Sequence, residues 1–144
     1  MMSRGWRITV FCGASLAAAA ALANGEAAAP DARPPGQRLY AMHCLSCHQA
    51  DGGGVPNMQP PIAGGTWVQG DARALALFVM SGGFDSASRK DSDVGNVMPP
   101  FRQLADADLA AILTYIRQKF GNGGSPLSAA DVAEARTSLP AETS

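Results

Sequence analysis

The feature that most constrains this chain is the pentapeptide Cys44-Leu45-Ser46-Cys47-His48. It places two thiols three residues apart and a histidine directly after the second. If the segment is helical, Cys44 and Cys47 lie about one turn apart on the same face. That is the arrangement needed to form thioether bonds to the two vinyl groups along one side of a porphyrin, and the pattern is the attachment signature of haem c. His48, fixed beside the second bond, would then direct an imidazole nitrogen at the iron as its proximal ligand. The opposite face of the iron must be filled from elsewhere in the chain.

Other chemistries fit the motif less well. A zinc site would have to use Cys44, Cys47, His48 and the neighbouring His43, whereas structural zinc draws its ligand pairs from two separate segments. The only other cysteine is Cys12 and there is no third histidine, so all four ligands would be crowded together. A thioredoxin-like dithiol needs a βαβ context, and no run of β-branched residues flanks the motif. A Cys44–Cys47 disulfide fits only as a transient state before haem attachment.

The N-terminus reads as an export signal. Arg4 and Arg7 form a basic start, Ile8 to Ala23 is an alanine-rich apolar run, and Ala21-Leu22-Ala23 matches a cleavage site. The alternative is a retained membrane anchor, since the run approaches spanning length, but its alanines make it only weakly apolar. Residues 1–23 are therefore expected to be a cleaved signal peptide that takes Cys12 with it. Export agrees with the motif, because haem attachment through these cysteines needs an oxidising compartment, here the periplasm. Cleavage removes two arginines and no acids, so 11 basic and 12 acidic residues become 9 and 12, a net charge near −3. A mildly acidic chain argues against nucleic acid or an anionic membrane surface as its partner, and no stable membrane insertion is expected after cleavage. The remaining ~120 residues are enough for one domain with one core.

Residues 24–35 form an Ala/Pro-rich flexible leader and 36–144 the folded domain. A helical pattern starts at Pro35, which suits a first helical position, and runs through Leu39, Tyr40 and His43 to the motif. Glycines follow at Gly52, Gly53 and Gly54, and Pro56 to Gly65 reads as an extended loop. Asp71 can cap a helix over 72–80 that Gly82-Gly83 ends. Phe84 to Val97 is polar, with Asp85, Arg89, Lys90, Asp91 and Asp93 close together, and reads as an exposed loop. A strong helix spans about 106–120, with acids in its first turn and Arg117 and Lys119 in its last, as the helix dipole prefers. Ser128 and Asp131 make a capping-box-like start for a short final helix. No strand pattern emerges, so the fold class is all-α.

The candidates for the distal ligand are Met42, His43, Met58, Met80 and Met98. Met42 and His43 adjoin the proximal attachment too closely to reach across a haem. Met80 falls in a helix and suits a core position, and Met58 lies only ten residues after His48. Met98 lies fifty residues on and is followed by Pro99 and Pro100, which stiffen the backbone that would present its thioether. Met98 is the favoured ligand, with Met58 and Met80 as alternatives. A soft thioether favours ferrous iron and raises the reduction potential.

At this point the chain resembles the class I c-type cytochromes over residues 36–115. The resemblance rests on Gly36, Tyr40, the Cys44-to-His48 motif, the glycine-rich turn, Pro60-Pro61-Ile62, Met98-Pro99-Pro100-Phe101, Ile112 and Tyr115. It implies helices packed around one haem, with Gly36 and Tyr40 crossing Ile112 and Tyr115. It also implies that the Pro60 carbonyl accepts a hydrogen bond from the second His48 nitrogen and that Ile62 packs on the porphyrin. Trp67 is a candidate for the haem edge near a propionate, with an ordinary core aromatic as the alternative. A narrower similarity lies in Tyr115-Ile116-Arg117, Phe120-Gly121-Asn122, Pro126, Ser128, Asp131-Val132 and Arg136. These resemble the cytochrome domains that accept electrons from periplasmic quinoprotein, molybdenum or flavin dehydrogenases, although Trp is commoner than Phe at position 120.

The function this implies is one-electron transport, not enzymatic catalysis. A dehydrogenase would be the donor, and another cytochrome or a terminal oxidase the acceptor. The alternative is a haem peroxidase or gas sensor, which needs an open distal position. The charged 84–97 loop is a candidate rim for partner docking. Replacing Cys44 and Cys47 by alanine is expected to abolish covalent attachment and leave the apoprotein largely unfolded, because so small a core is built on the porphyrin. Haem staining of a denaturing gel checks the first outcome; a double variant that still stains contradicts the motif.

Overall fold

The computed structural model of the chain describes residues 31–83 and 97–140. The expected signal segment with Cys12, and the loop charges Asp85, Arg89, Lys90, Asp91 and Asp93, lie outside the described residues. The described residues form six helices and no strand. The order is α1 (Pro35–His43), α2 (Leu45–His48), α3 (Thr66–Gln69), α4 (Ala72–Met80), α5 (Asp106–Gln118) and α6 (Ala129–Arg136).

Local chemistry explains most of these boundaries. Pro35 opens α1 with a preset φ, and the Pro34 carbonyl accepts from Gln37 and Arg38 N–H at 3.0 and 3.1 Å. Asp71 caps α4 by accepting from Ala74 N–H at 2.8 Å, worth about 1 kcal/mol against alanine. The far end of α4 closes in a Schellman motif, with Gly83 N–H donating to Phe78 C=O at 2.8 Å and Gly82 N–H to Val79 C=O at 3.2 Å. Ser128 and Asp131 form the full reciprocal capping box of α6. Hydrogen bonds from Ser128 hold the Asp131 carboxyl below its ordinary range.

The structure departs from the sequence reading in three places. Residues 56–65 do not run extended throughout. Val55 N–H donates to Gln59 C=O at 3.0 Å and closes a tight turn in which Asn57 takes a φ of 60°. Pro56-Asn57 is turn chemistry, and the extended preference governs only Pro60 and Pro61. Next, the four-residue helix α3 has no sequence counterpart, being too short for a periodic signal; burial of Val68 anchors it. Finally, Arg117 lies in the last turn of α5 as expected, but buried rather than facing solvent. Only 5% of it is exposed. Its Nε donates to Ser125 C=O at 2.7 Å, and one terminal nitrogen donates to Val68 and Gly70 C=O, both at 2.8 Å.

Helix α5 is the packing centre. Leu109, Ile112, Leu113 and Ile116 recur at helical spacing and are all buried. Helices α1, α3, α4 and α6 all pack on α5. The α1 contact is the tightest: a Cβ at Gly36 would lie 2.2 Å from the Ala111 carbonyl oxygen. Tyr40 and Tyr115 meet across the same crossing, ring centroids 5.4 Å apart, as the family resemblance implied. Met80 is fully buried in the core with Leu109, Leu113 and Val132, the position its place in a helix suggested. On the other side of α5, Arg136 of α6 binds the Asp106 carboxylate and the Leu104 carbonyl, each at 2.8 Å. It thereby ties the last helix to the start of α5.

Arg117→Met would remove the donors to three carbonyls while keeping most of the apolar stem. Such a change is expected to cost about 2–4 kcal/mol of stability. Arg117→Lys should recover only part, since an ammonium lacks the planar fork. Denaturant unfolding of the holoprotein measures both; a loss under about 0.5 kcal/mol for Arg117→Met would contradict the anchoring role.

Candidate haem site

The motif sits where one helix breaks and another turn begins. α1 stops at His43, and Cys44, at φ −123°, caps both α1 and α2. The Cys44 carbonyl then accepts from Cys47 N–H at 3.2 Å and His48 N–H at 2.9 Å. The two cysteines therefore lie one turn apart, as the spacing required. Both are free thiols, Cys44 half-buried and Cys47 exposed. Burial, with a smaller push from Cys47, raises the Cys44 thiol to about 12. That is the opposite of the depressed thiol of a dithiol redox motif. Among the described residues, no three His, Cys, Asp or Glu side chains come together as a metal cluster, so the geometry gives the zinc alternative no support.

His48 is half-buried, and burial lowers its proton affinity while the Pro60 carbonyl partly raises it. The net direction is downward, which keeps the imidazole neutral near pH 7, the form in which it ligates a metal. Its Nδ1 is fully buried and has no hydrogen-bond partner. Only under looser geometry does the Pro60 carbonyl act on the ring as a backbone hydrogen-bond acceptor. Two neighbouring contacts shape the loop that carries Pro60. Gly54 N–H donates to His48 C=O at 3.3 Å. The Gly54 Cα lies so close that a Cβ there would be 2.8 Å from the Pro60 oxygen.

The segment carrying Met98 is held by the end of α4. Phe101 N–H donates to Val79 C=O at 3.3 Å. Gly82, at φ 76°, lies so close beneath the prolines that a Cβ would sit 2.8 Å from the Met98 oxygen and 2.9 Å from the Pro100 nitrogen. Only glycine meets both demands at that position. Met98 itself is half-buried. The Phe101 ring meets His43 edge-on at 6.3 Å, bringing the Met98 segment to the end of the helix that precedes the motif. Met58 is 45% exposed on the turn after Val55, and Met42 is 72% exposed.

Ile62 is half-buried and packs against the core. Trp67 is 47% exposed and stacks on Phe78, centroids 4.8 Å apart and planes 18° from parallel. It is therefore not the ordinary core aromatic that the sequence left as an alternative. Several supports around the motif are not evident from the sequence. Arg117 falls four residues after Leu113 in the apolar stripe of α5, a spacing that signals a buried arginine. For Gly82 the sequence offered a helix terminator but not its second contact.

The residues present fit a covalent haem: two free thiols on one turn, a neutral imidazole, and a buried Nδ1 turned toward a carbonyl. Comparisons with known proteins agree. Residues 34–119 match the family model for cytochrome c. Cytochrome c-552 of Thermus thermophilus is 32% identical over 114 residues, covering 73% of this chain and 76% of that one. The cytochrome c subunit of the quinone alcohol dehydrogenase of Gluconobacter oxydans is 33% identical over 105 residues. That match covers 71% of this chain but only 22% of the longer subunit. The subunit from Komagataeibacter europaeus is 31% identical over 125 residues, 85% of this chain and 27% of that one. The cofactor is covalently bound haem c, with Cys44 and Cys47 in the positions consistent with its attachment. An all-α chain organised around this motif belongs to the cytochrome c family.

Proposed function

We propose that this chain is an exported carrier of single electrons, reduced by a periplasmic dehydrogenase and oxidised by another cytochrome or a terminal oxidase. The observation that carries the reading is the single turn from Cys44 to His48, which sets the two cysteines one turn apart with the histidine directly after the second. In this reading Cys44 and Cys47 form the two thioether bonds, and His48 and Met98 are the axial ligands. Pro60 orients His48, while Ile62 and Trp67 pack against the porphyrin. Bound haem supplies the exchange of one electron between ferric and ferrous iron. With protein ligands on both faces, no substrate reaches the metal, so the chain is a carrier and not itself an enzyme.

Export is supported by the basic start, apolar run and Ala-Leu-Ala site of residues 1–23. No helix among the described residues is long and apolar enough to cross a membrane. The dehydrogenase as donor is supported by the similarity to cytochrome c subunits of quinone alcohol dehydrogenases.

Two experiments test this reading. Met98→Ala is expected to retain covalent haem, lose the thioether-to-ferric-iron absorption band, lower the potential and admit CO or imidazole. Met58→Ala and Met80→Ala should keep the band, and its survival in Met98→Ala would reassign the ligand. For the donor, oxidised holoprotein is mixed by stopped flow with a quinone alcohol dehydrogenase and its alcohol. Haem reduction should be fast and should slow as salt shortens the Debye length to about 3 Å near 1 M. Reduction no faster than that of an unrelated acidic cytochrome would contradict a dehydrogenase partner.

A further inference from the structure

The stretch that follows the family-matched residues 34–119 reaches back to the histidine side of the site. Immediately after the α5 cap, Phe120 takes a φ of 57° and Gly121 one of 76°. A bulky aromatic adopts such a φ only where its surroundings hold it there. The reversal packs the Phe120 ring against Tyr40 and Tyr115, at centroid distances of 5.6 and 5.9 Å. It also lays the ring on Gly52, where a Cβ would be 2.8 Å from it. Asn122 is turned inward and is only 8% exposed. Both ends of its amide are used. Nδ2 donates to Ile116 C=O at 2.9 Å, and Oδ1 accepts from Gly64 N–H at 2.7 Å.

Those two residues grip the loop between them. Gly52 C=O accepts from Ile62 N–H at 2.9 Å and Ala63 N–H at 3.1 Å, closing the base of the loop. Phe120 covers that base, Asn122 fixes Gly64 beyond it, and Pro60 lies in the span between. We infer that Phe120 and Asn122 are positioning residues that clamp the 52–64 loop, set the Pro60 carbonyl relative to His48 Nδ1, and so tune the donor strength of that histidine. The inference rests on His48 being the iron ligand. Nδ1 is buried with no other partner, so a small displacement of this loop decides whether it has an acceptor at all. An acceptor at Nδ1 makes the imidazole a stronger donor and favours ferric iron. Loosening the clamp therefore raises the potential.

The test compares holoprotein variants Asn122→Ala and the milder Asn122→Ser with Ser128→Ala, which weakens the α6 cap away from the loop. Two quantities are read: the reduction potential by voltammetry and the exchange rate of the His48 Nδ1 proton by NMR. Both Asn122 variants are expected to raise the potential and to speed that exchange by about tenfold, the scale of one lost hydrogen bond. Ser128→Ala should lower the unfolding midpoint and leave both quantities at wild-type values. If Asn122→Ala does not hold its fold, Asn122→Ser alone decides. Lowered stability with an unchanged or lower potential and unchanged exchange would make Asn122 merely structural and overturn the clamp. Absence of hyperfine-shifted His48 ring protons in the wild-type holoprotein would instead overturn the ligand assignment, and the clamp with it.

Discussion

The close approach of α1 to α5 at Gly36 is the constraint on which the site depends. With no side chain there, the α1 backbone reaches the Ala111 carbonyl to within the space a Cβ would need. One helical turn later Tyr40 is consequently buried against Tyr115 and Phe120. Its hydroxyl, kept protonated by burial, donates to Gln49 C=O at 2.6 Å. Gln49 follows His48 directly and closes α2 at a φ of 62°. A single turn of helix is marginal by itself. Here one end of α2 continues from a helix docked on the core, and the other is tied to that core by a tyrosine.

The two sides of the site are supported by different physics. On the histidine side the holding contacts are polar: Tyr40 to Gln49, Asn122 to Gly64, and backbone bonds into Gly52 C=O. Directional bonds fix the position of a loop more closely than packing alone. On the methionine side the holding contacts are steric, with two stiff prolines lying on Gly82 and one backbone bond from Phe101 to Val79. A thioether has only weak hydrogen-bonding capacity, so shape rather than polarity positions it. Arg117 ties the end of α3, through Val68 and Gly70, to the turn after α5, through Ser125.

What could be read from the sequence was whatever a few consecutive residues decide. The Cys44-to-His48 motif, the Asp71 cap, the Ser128–Asp131 box and the Gly82-Gly83 stop each act over one turn, and each appears where local chemistry puts it. What could not be read couples distant positions. Arg117 meets carbonyls nearly fifty residues earlier, and Asn122 meets Gly64 across 58 residues. Neither partner is implied by composition or periodicity. The turn at Val55 to Gln59 was obscured for another reason: the prolines nearby were read as one extended stretch, although Pro56 initiates a turn and only Pro60 and Pro61 extend the chain. The His48–Pro60 relation was legible as a pairing of groups but not as a distance, because the loop that sets it is held by the tail.

In the proposed carrier role, this haem has protein ligands on both faces and therefore moves electrons without binding substrate. The most direct test of that role is the optical spectrum of the purified wild-type holoprotein, recorded oxidised and then reduced under CO. The expected result is a thioether-to-iron band in the ferric spectrum and a ferrous spectrum that CO leaves unchanged. No such band, together with immediate formation of a CO adduct, would show an open distal position. That result would contradict the carrier and favour a peroxidase or gas-sensing role.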